Sequence, residues 1–175
     1  SKPLSFYAAS KKCNEVMAHS FSNINKLACT GLRFFTVYGE YGRPDMALYK
    51  FSNNIMKNKK VDLFNRGNHI RDFTYIDDVV DQIILLINKP SKNKIPYEIF
   101  NIASSKPIKL KKYINLIELS LQKKAKFKLL KKQPGDVVKT FASTKNIQSK
   151  TGKIKVTNLK IGIERYIKWF KKYYF

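Results

Sequence analysis

Leu32-Arg33-Phe34-Phe35-Thr36-Val37-Tyr38-Gly39 reads as an apolar strand that ends in a polar, glycine-containing turn. Leu27-Ala28-Cys29-Thr30-Gly31 extends the run on its amino side, so one buried strand is expected within 26–37. A near-continuous apolar run of this kind suits a parallel sheet covered on both faces. The following Tyr38-Gly39-Glu40-Tyr41-Gly42-Arg43-Pro44-Asp45 is a loop by its glycine and proline content. In open α/β sheets ligands bind beyond the carboxyl ends of the strands. Thr36, Tyr38 and Arg43 stand at that end.

Upstream, Leu4 to about Asn25 has helical spacing, with Ser5 as a cap and Glu15, Met17, Ala18 and Phe21 following in register. Tyr7 and Lys11 are four apart on it, hence one turn apart on one face. An ammonium beside a phenol favours the phenolate, which makes tyrosine a usable base near neutral pH. Downstream, a helix is expected from Met46 to about Asn58 and a short strand over Val61-Asp62-Leu63-Phe64. After a turn at Asn65-Arg66-Gly67-Asn68, Arg71 to Ile76 reads as a second strand that could close a hairpin with the first. Asp77 is expected to cap a helix running to about Asn88. Then come a strand at 97–103, a helix at 109–122, a strand at 125–130, a Gln133-Pro134-Gly135-Asp136 turn, and helices at 143–151 and 159–173. Strands alternating with helices argue for a single α/β unit.

At 175 residues and 43% hydrophobic content the chain can bury a sizeable core. Its longest apolar run, Ile83-Ile84-Leu85-Leu86-Ile87, is too short to span a bilayer. Ser1-Lys2-Pro3 shows neither signal-peptide character nor an initiator Met, which reads as a piece of a longer chain. The net charge of +23 invites a nucleic-acid reading. Lysine far outnumbers arginine, however, and bidentate phosphate and base readout favours arginine. A solvated basic surface without a specific nucleic-acid partner is expected. Cys13 and Cys29 have no metal or CxxC spacing and read as free thiols of a reducing cytoplasm. His19 and His69 share no metal spacing and read as structural or solvent-facing.

Local chemistry leaves several residues open. Tyr7 and Lys11 are an acid/base pair or an accidental exposed pair. Arg43 offers a planar fork for a carboxylate or phosphate, or pairs on the surface with Glu40 or Asp45. Arg71 suits a diphosphate or is an edge-strand arginine. Asp136 stabilises its own turn or accepts from ribose hydroxyls.

Four stretches carry a resemblance: Tyr7-Ala8-Ala9-Ser10-Lys11-Lys12, Gly31 to Gly39, Gly42-Arg43-Pro44-Asp45-Met46-Ala47, and Arg71-Asp72-Phe73-Thr74-Tyr75-Ile76-Asp77-Asp78. In order and spacing they resemble extended short-chain dehydrogenases/reductases, and within these the NAD-dependent UDP-glucuronate 4-epimerases. Gln133-Pro134-Gly135-Asp136-Val137 fits as well. The resemblance implies the C-terminal part of a Rossmann-like doubly wound sheet plus a smaller α/β substrate-binding domain. Residues 1–40 would be the end of the NAD-binding domain. Residues 41–175 would bind the nucleotide sugar, with Rossmann elements returning at roughly 72–103.

The resemblance also implies roles. Tyr7 would exchange the proton of the sugar 4-hydroxyl while NAD takes and returns hydride at C4. Lys11 would hold the nicotinamide ribose, and Phe35 would lie at the nicotinamide end. Thr36 and Arg43 would hold the uronic acid, Phe64 the uridine, Arg71 the diphosphate and Asp136 the uridine ribose. A homodimer through the first helix is implied, with a UDP-sugar as substrate and no membrane.

The sequence departs from the family at five points. The family's GxxGxxG phosphate loop, its acidic residue for the adenosine ribose and its catalytic Ser/Thr are not in these residues. Glu40 replaces a usual proline, and Ile70 stands where a second basic residue often precedes Arg71. UDP-glucose 4-epimerase, a nucleotide-sugar 4,6-dehydratase and an inactive binding module are the neighbouring readings. The isolated piece is expected to be inactive. A basic nucleic-acid-binding module is the reading from a different class.

Overall fold

A computed structural model describes residues 2–133 and 135–175. Ser1 and Pro134, the latter in the expected 133–136 turn, lie outside the described residues. In chain order the elements are α1 (Phe6–Asn25), β1 (Cys29–Phe34), β2 (Thr36–Tyr38), α2 (Ala47–Met56), β3 (Lys60–Phe64), β4 (Ile70–Arg71), β5 (Phe73–Tyr75), α3 (Ile76–Ile87), β6 (Tyr97–Ile102), β7 (Ile108–Lys109), α4 (Leu110–Leu121), β8 (Lys126–Leu130), α5 (Lys145–Thr151) and α6 (Leu159–Tyr174). A 3₁₀ turn, Asn65–Gly67, links β3 to β4. The fold class is the expected mixture of helices and parallel strand pairs. Among the described residues no helix is long and apolar enough to cross a membrane.

Ser5 caps α1 as expected, its hydroxyl accepting from the Ala8 amide at 3.1 Å. The helix closes at Lys26 in the left-handed region, φ 51°. Ser22 then donates to the Leu27 carbonyl at 2.8 Å, drawing the chain into β1.

The single strand expected over 26–37 is two. β1 runs parallel to β6, with Cys29 opposite Tyr97 and Phe34 opposite Ile102. β2 runs parallel to β5, with Thr36 opposite Phe73. The partner changes within one residue: the Phe35 amide donates to Ile102 O at 3.3 Å, and the Thr36 amide to Asp72 O at 3.1 Å. Burial on both faces is also only partial, because Thr30, Arg33 and Phe34 are exposed.

Two other expectations are corrected. β3 makes no hairpin with the strand after it. It pairs parallel with β8, Val61 opposite Phe127 and Leu63 opposite Leu129, while β4 pairs antiparallel with β7 and β5 pairs parallel with β2. Burying Val61 and Leu63 against the helices outweighs the local turn. Asp77 does not cap α3. The helix starts directly after Tyr75, and Asp77 and Asp78 sit in its first turn, where their charge complements the helix dipole. Asp78 instead accepts from the Thr157 amide and hydroxyl, both at 2.7 Å.

Apolar burial divides between two clusters. The larger joins α2, β3, β5, α4 and α6, with Phe73 stacked on Tyr113 at 3.9 Å between ring centroids. The smaller joins α3, β6 and α5 through Val79, Leu86, Phe100, Ile102 and Ile147, with Leu32 and Val37 packed on it. Where the chain leaves β2, Gly39 has φ 148°, and a Cβ there would stand 2.4 Å from Ile76 Cγ2. Only glycine makes that exit without strain.

Candidate active site

The switch of partner strands at Phe35 lies at the carboxyl end of β1, and Thr36, the first residue of β2, lines the pocket beside it. Thr36, Phe64, Arg71 and Asp136 line one pocket of about 520 Å³, together with Lys50 and His69. Each is delivered by a different device. Phe64 ends β3, and Arg71 ends β4. Asp136 comes from the far end of the chain. Its turn is drawn in where Ile70 donates to Val138 O at 2.9 Å and accepts from the Thr140 amide at 3.0 Å.

Asp72 ties these pieces together. Its carboxylate accepts from the Ser104 amide at 3.0 Å and hydroxyl at 2.7 Å, and its amide donates to Thr140 Oγ1 at 3.2 Å. The side chain is fully buried, so these bonds offset part of its desolvation.

Arg71 is held rather than loose. Its Nη1 donates to the carbonyls of Ile70 at 3.2 Å and Val138 at 3.1 Å, and its Nη2 to Asp136 Oδ1 at 2.9 Å. His69 Nε2 lies 2.7 Å from the other oxygen of Asp136. Sequence reasoning gave His69 no site role, since a lone histidine has no ligand spacing. The signal available was its distance from Arg71: residues two apart on extended chain share a face.

Arg43 stands apart from this pocket. It lines a neighbouring void of about 40 Å³ that shares Thr36. Its side chain is largely exposed and donates to Asp45 Oδ2 at 3.2 Å. Glu40 does not pair with it; it accepts from the Tyr75 hydroxyl at 2.8 Å. Burial first, then that bond to Glu40, pushes Tyr75 up to about 12. Tyr38, buried beneath α6, is also raised, chiefly by desolvation. The Arg43 loop leans on α6 through Tyr41, whose ring is 5.0 Å from that of Trp169.

Tyr7 and Lys11 share one face of α1, with Lys11 Nζ 5.3 Å above the Tyr7 ring centroid. Both are exposed, and neither is among the residues that line the pocket. Phe35 is half-buried at the strand switch. Glu15 anchors α1 to the strand: Arg33 donates to it at 2.6 and 2.7 Å, and Lys12 at 2.9 Å. The Arg33 hydrogen bonds are the largest cause of a Glu15 carboxyl lowered from 4.5 to about 2. Among the described residues no cluster of His, Cys, Asp or Glu could hold a metal ion.

A model of the NAD dependent epimerase/dehydratase family matches residues 1–103. An uncharacterised protein of Methanocaldococcus jannaschii is 50% identical over 170 residues, covering 97% of this chain and 51% of its own length. A probable UDP-glucuronate 4-epimerase of Rhizobium meliloti is 35% identical, covering 99% of this chain and 55% of its own. The crystal structure of UDP-glucuronic acid 4-epimerase from Bacillus cereus, in complex with UDP-glucuronic acid and NAD, superposes with a TM-score of 0.91. It is 29% identical, and the match covers 99% of this chain and 55% of that one. The chain spans about half the length of the curated relatives it matches. With the family model covering more than half of its residues, the chain belongs to the NAD dependent epimerase/dehydratase family.

Proposed function

We propose that this chain is the substrate-binding part of a nucleotide-sugar 4-epimerase that interconverts UDP-glucuronate and UDP-galacturonate. The observation that carries the reading is the single pocket that gathers Thr36, Phe64, Arg71 and Asp136 from four separate segments. In it Arg71 would meet the diphosphate, Phe64 would lie against the uracil, and Asp136 would stand near the ribose. Arg43 would leave Asp45 for the sugar carboxylate, a bidentate partner of the same geometry. Its loop adjoins Thr36, which would fix the sugar from the strand end.

Tyr7 would take the proton from the sugar 4-hydroxyl and return it, and Lys11 would favour the phenolate by its charge. NAD, when bound, supplies the hydride acceptor and donor at C4. Tyr7, Lys11 and Phe35 would hold only its nicotinamide–ribose end. The glycines of this chain form no GxxGxxG loop, so the pyrophosphate would rest on residues outside these 175. For the 175 residues alone we therefore propose binding of the sugar nucleotide without turnover, which the exposure of Tyr7 and Lys11 outside the pocket supports. A homodimer through the exposed apolar face of α1 and a cytoplasmic location belong to the same proposal. So does a basic surface without a specific nucleic-acid partner.

Calorimetric titration tests the substrate. The chain should bind UDP-glucuronate about tenfold more tightly than UDP-glucose, the ratio expected of one charge-assisted contact. Arg43→Ala should erase that preference while leaving UDP-glucose binding within about twofold. Equal losses on both sugar nucleotides would remove the uronate assignment, and tight binding of NAD by the chain would remove the view that its pyrophosphate site lies elsewhere.

A further inference from the structure

We infer that Glu40 is a positioning residue for Arg43: bonded to the Tyr75 hydroxyl, it holds the loop that points this arginine at the carboxylate of a uronic acid. The inference rests on the proposed reading of Arg43 as the carboxylate partner. It goes beyond that reading by giving a role to a residue that lines neither the pocket nor the neighbouring void.

Arg43 gains little fixity from its own contacts. It is exposed, and its Nη2 donates to Asp45 Oδ2 at 3.2 Å and lies 3.6 Å from Met46 Sδ. An exposed ion pair with a residue of the same loop moves with that loop. The direction of the guanidinium therefore depends on the backbone that carries it. On the carboxyl side that backbone is secured, because the Met46 amide donates to Arg43 O at 3.0 Å just before α2 begins. On the amino side only Gly42 stands between Arg43 and the pair Glu40–Tyr41.

That pair is strained and held from both ends. Tyr41 has φ 57°, in the left-handed region that a non-glycine residue keeps only where its surroundings enforce it. Its ring lies 5.0 Å from that of Trp169 and 6.3 Å from that of Tyr173, both on α6. Glu40 is the other tether: its two carboxylate oxygens accept from the Tyr75 hydroxyl at 2.8 and 3.1 Å. Tyr75 is a fixed anchor. It ends β5 opposite Tyr38 of β2, is 2% exposed, and carries the Arg165 guanidinium 5.7 Å from its ring centroid. Pushed up to about 12, first by burial and then by its bond to Glu40, the phenol keeps its proton and stays a donor at neutral pH.

A hydrogen bond to an ionised acceptor is stronger than a neutral one. Without it the left-handed turn at Tyr41 loses one of its two holds, and the loop carrying Arg43 relaxes.

Calorimetric titration of the chain with UDP-glucuronate and UDP-glucose tests this, the ratio of the two affinities being the readout. The unaltered chain should favour the uronate by about tenfold. Glu40→Ala should lower the ratio to about threefold, with UDP-glucose binding within about twofold of the unaltered chain. Tyr75→Phe removes the donor and keeps the ring. It should give the same ratio, so a failure of Glu40→Ala to fold leaves the test intact. Glu40→Gln keeps an acceptor oxygen without the charge and should hold the ratio within about twofold of the unaltered value.

With Glu40→Ala and Tyr75→Phe combined, the ratio should stay at about threefold, because the two act through one bond. Independent effects would multiply and bring it to about parity, which overturns the inference. So does an equal weakening of both sugar nucleotides in the single variants, the mark of a merely structural role. Arg43→Ala separates the inference from the reading beneath it. If Arg43→Ala abolishes the preference while the Glu40 and Tyr75 variants keep it in full, the inference is overturned and the uronate reading stands. If the unaltered chain shows no preference, or Arg43→Ala retains it, the uronate reading is overturned and the inference with it.

Discussion

The α4–α6 side of this chain and the α1–β1 side use the same kinds of residue and bury them to opposite extents. Phe170 on α6 is 0% exposed, whereas Phe6 on α1 is 92% exposed. Tyr113 and Ile117 of α4 interlock with Ile163, Tyr166 and Ile167 of α6 in one cluster, backed by Phe51 and Ile55 of α2. On α1, Met17, Phe21 and Ile24 stay exposed, and Ser22 is the helix's buried residue. What fastens α1 is mainly polar: the Glu15–Arg33 ion pair and the Ser22–Leu27 hydrogen bond, with the edge of His19 against Tyr97 beside them. One side is held by removal of apolar surface from water and the other by electrostatics. The proposed substrate pocket lies with the first side and the Tyr7–Lys11 pair with the second. The proposed binding and the proposed chemistry would therefore rest on different kinds of support.

The largest expected effect breaks the comparison if it fails. Phe170→Ala should destabilise the fold by about 3–5 kcal/mol, a cavity in a closed cluster. Phe6→Ala should change stability by no more than about 0.5 kcal/mol. Urea denaturation followed by circular dichroism measures both, and comparable losses for the two would mean that the sides do not differ as described.

A smaller effect sharpens the comparison through glycine. A Cβ at Gly162 of α6 would stand 2.3 Å from the Tyr38 hydroxyl oxygen and 2.9 Å from Tyr38 Cζ. Tyr38 is buried and ringed by Phe73, Tyr75 and Tyr113, so it cannot yield. Gly162→Ala should cost about 1–3 kcal/mol by overpacking. At Gly31 of β1 the same Cβ would meet Ile99 Cγ1 at 3.2 Å and the Tyr97 hydroxyl at 3.3 Å. Both belong to half-buried side chains, and each contact exceeds 3.0 Å, so a shift of a few tenths of an ångström relieves it. Gly31→Ala should therefore cost less than about 1 kcal/mol, or stabilise slightly by narrowing the unfolded ensemble. Melting temperatures of the two variants, taken side by side, decide it.

The asymmetry explains which features were legible in the sequence. Helices were, because their periodicity and caps are local: Ser5 caps α1, and α4 and α6 fall close to the expected spans. Strand partners were not. The hairpin expected around residues 65–68 is locally reasonable, but β3 finds β8 instead, more than sixty residues on. Two-residue β7 carries no periodic signal at all. The break at Phe35 is invisible in an apolar run, because it arises from two different partners competing for adjacent amides.

At the site, the resemblance named Thr36, Phe64, Arg71 and Asp136 one at a time. That they share a pocket depends on the Ile70–Thr140 pairing, which no local pattern encodes. Nor did any local pattern indicate that Arg71 and Asp136 would bond to each other, or that His69 would sit on the second oxygen.

The smallest effect is a pH dependence confined to the α1 side. The Glu15 carboxyl, near 4.5 unfolded, is lowered to about 2 in the folded chain, first by its hydrogen bonds to Arg33. A carboxyl with a lowered folded value binds fewer protons when folded than when unfolded. Its contribution is therefore complete above about 4.5 and is lost as pH falls through about 2. The protection of α1 amides against exchange should fall over that window, while α4 and α6, whose Glu118–Lys124 and Arg165–Asp77 pairs are longer at 3.6 and 3.8 Å, should lag behind. Glu15→Gln should make α1 exchange at neutral pH as the unaltered chain does near the bottom of the window, with the α4 and α6 amides unmoved. Equal loosening of all three helices in the variant would show that the ion pair supports the whole fold, and the division into an apolar side and a charged side would fall.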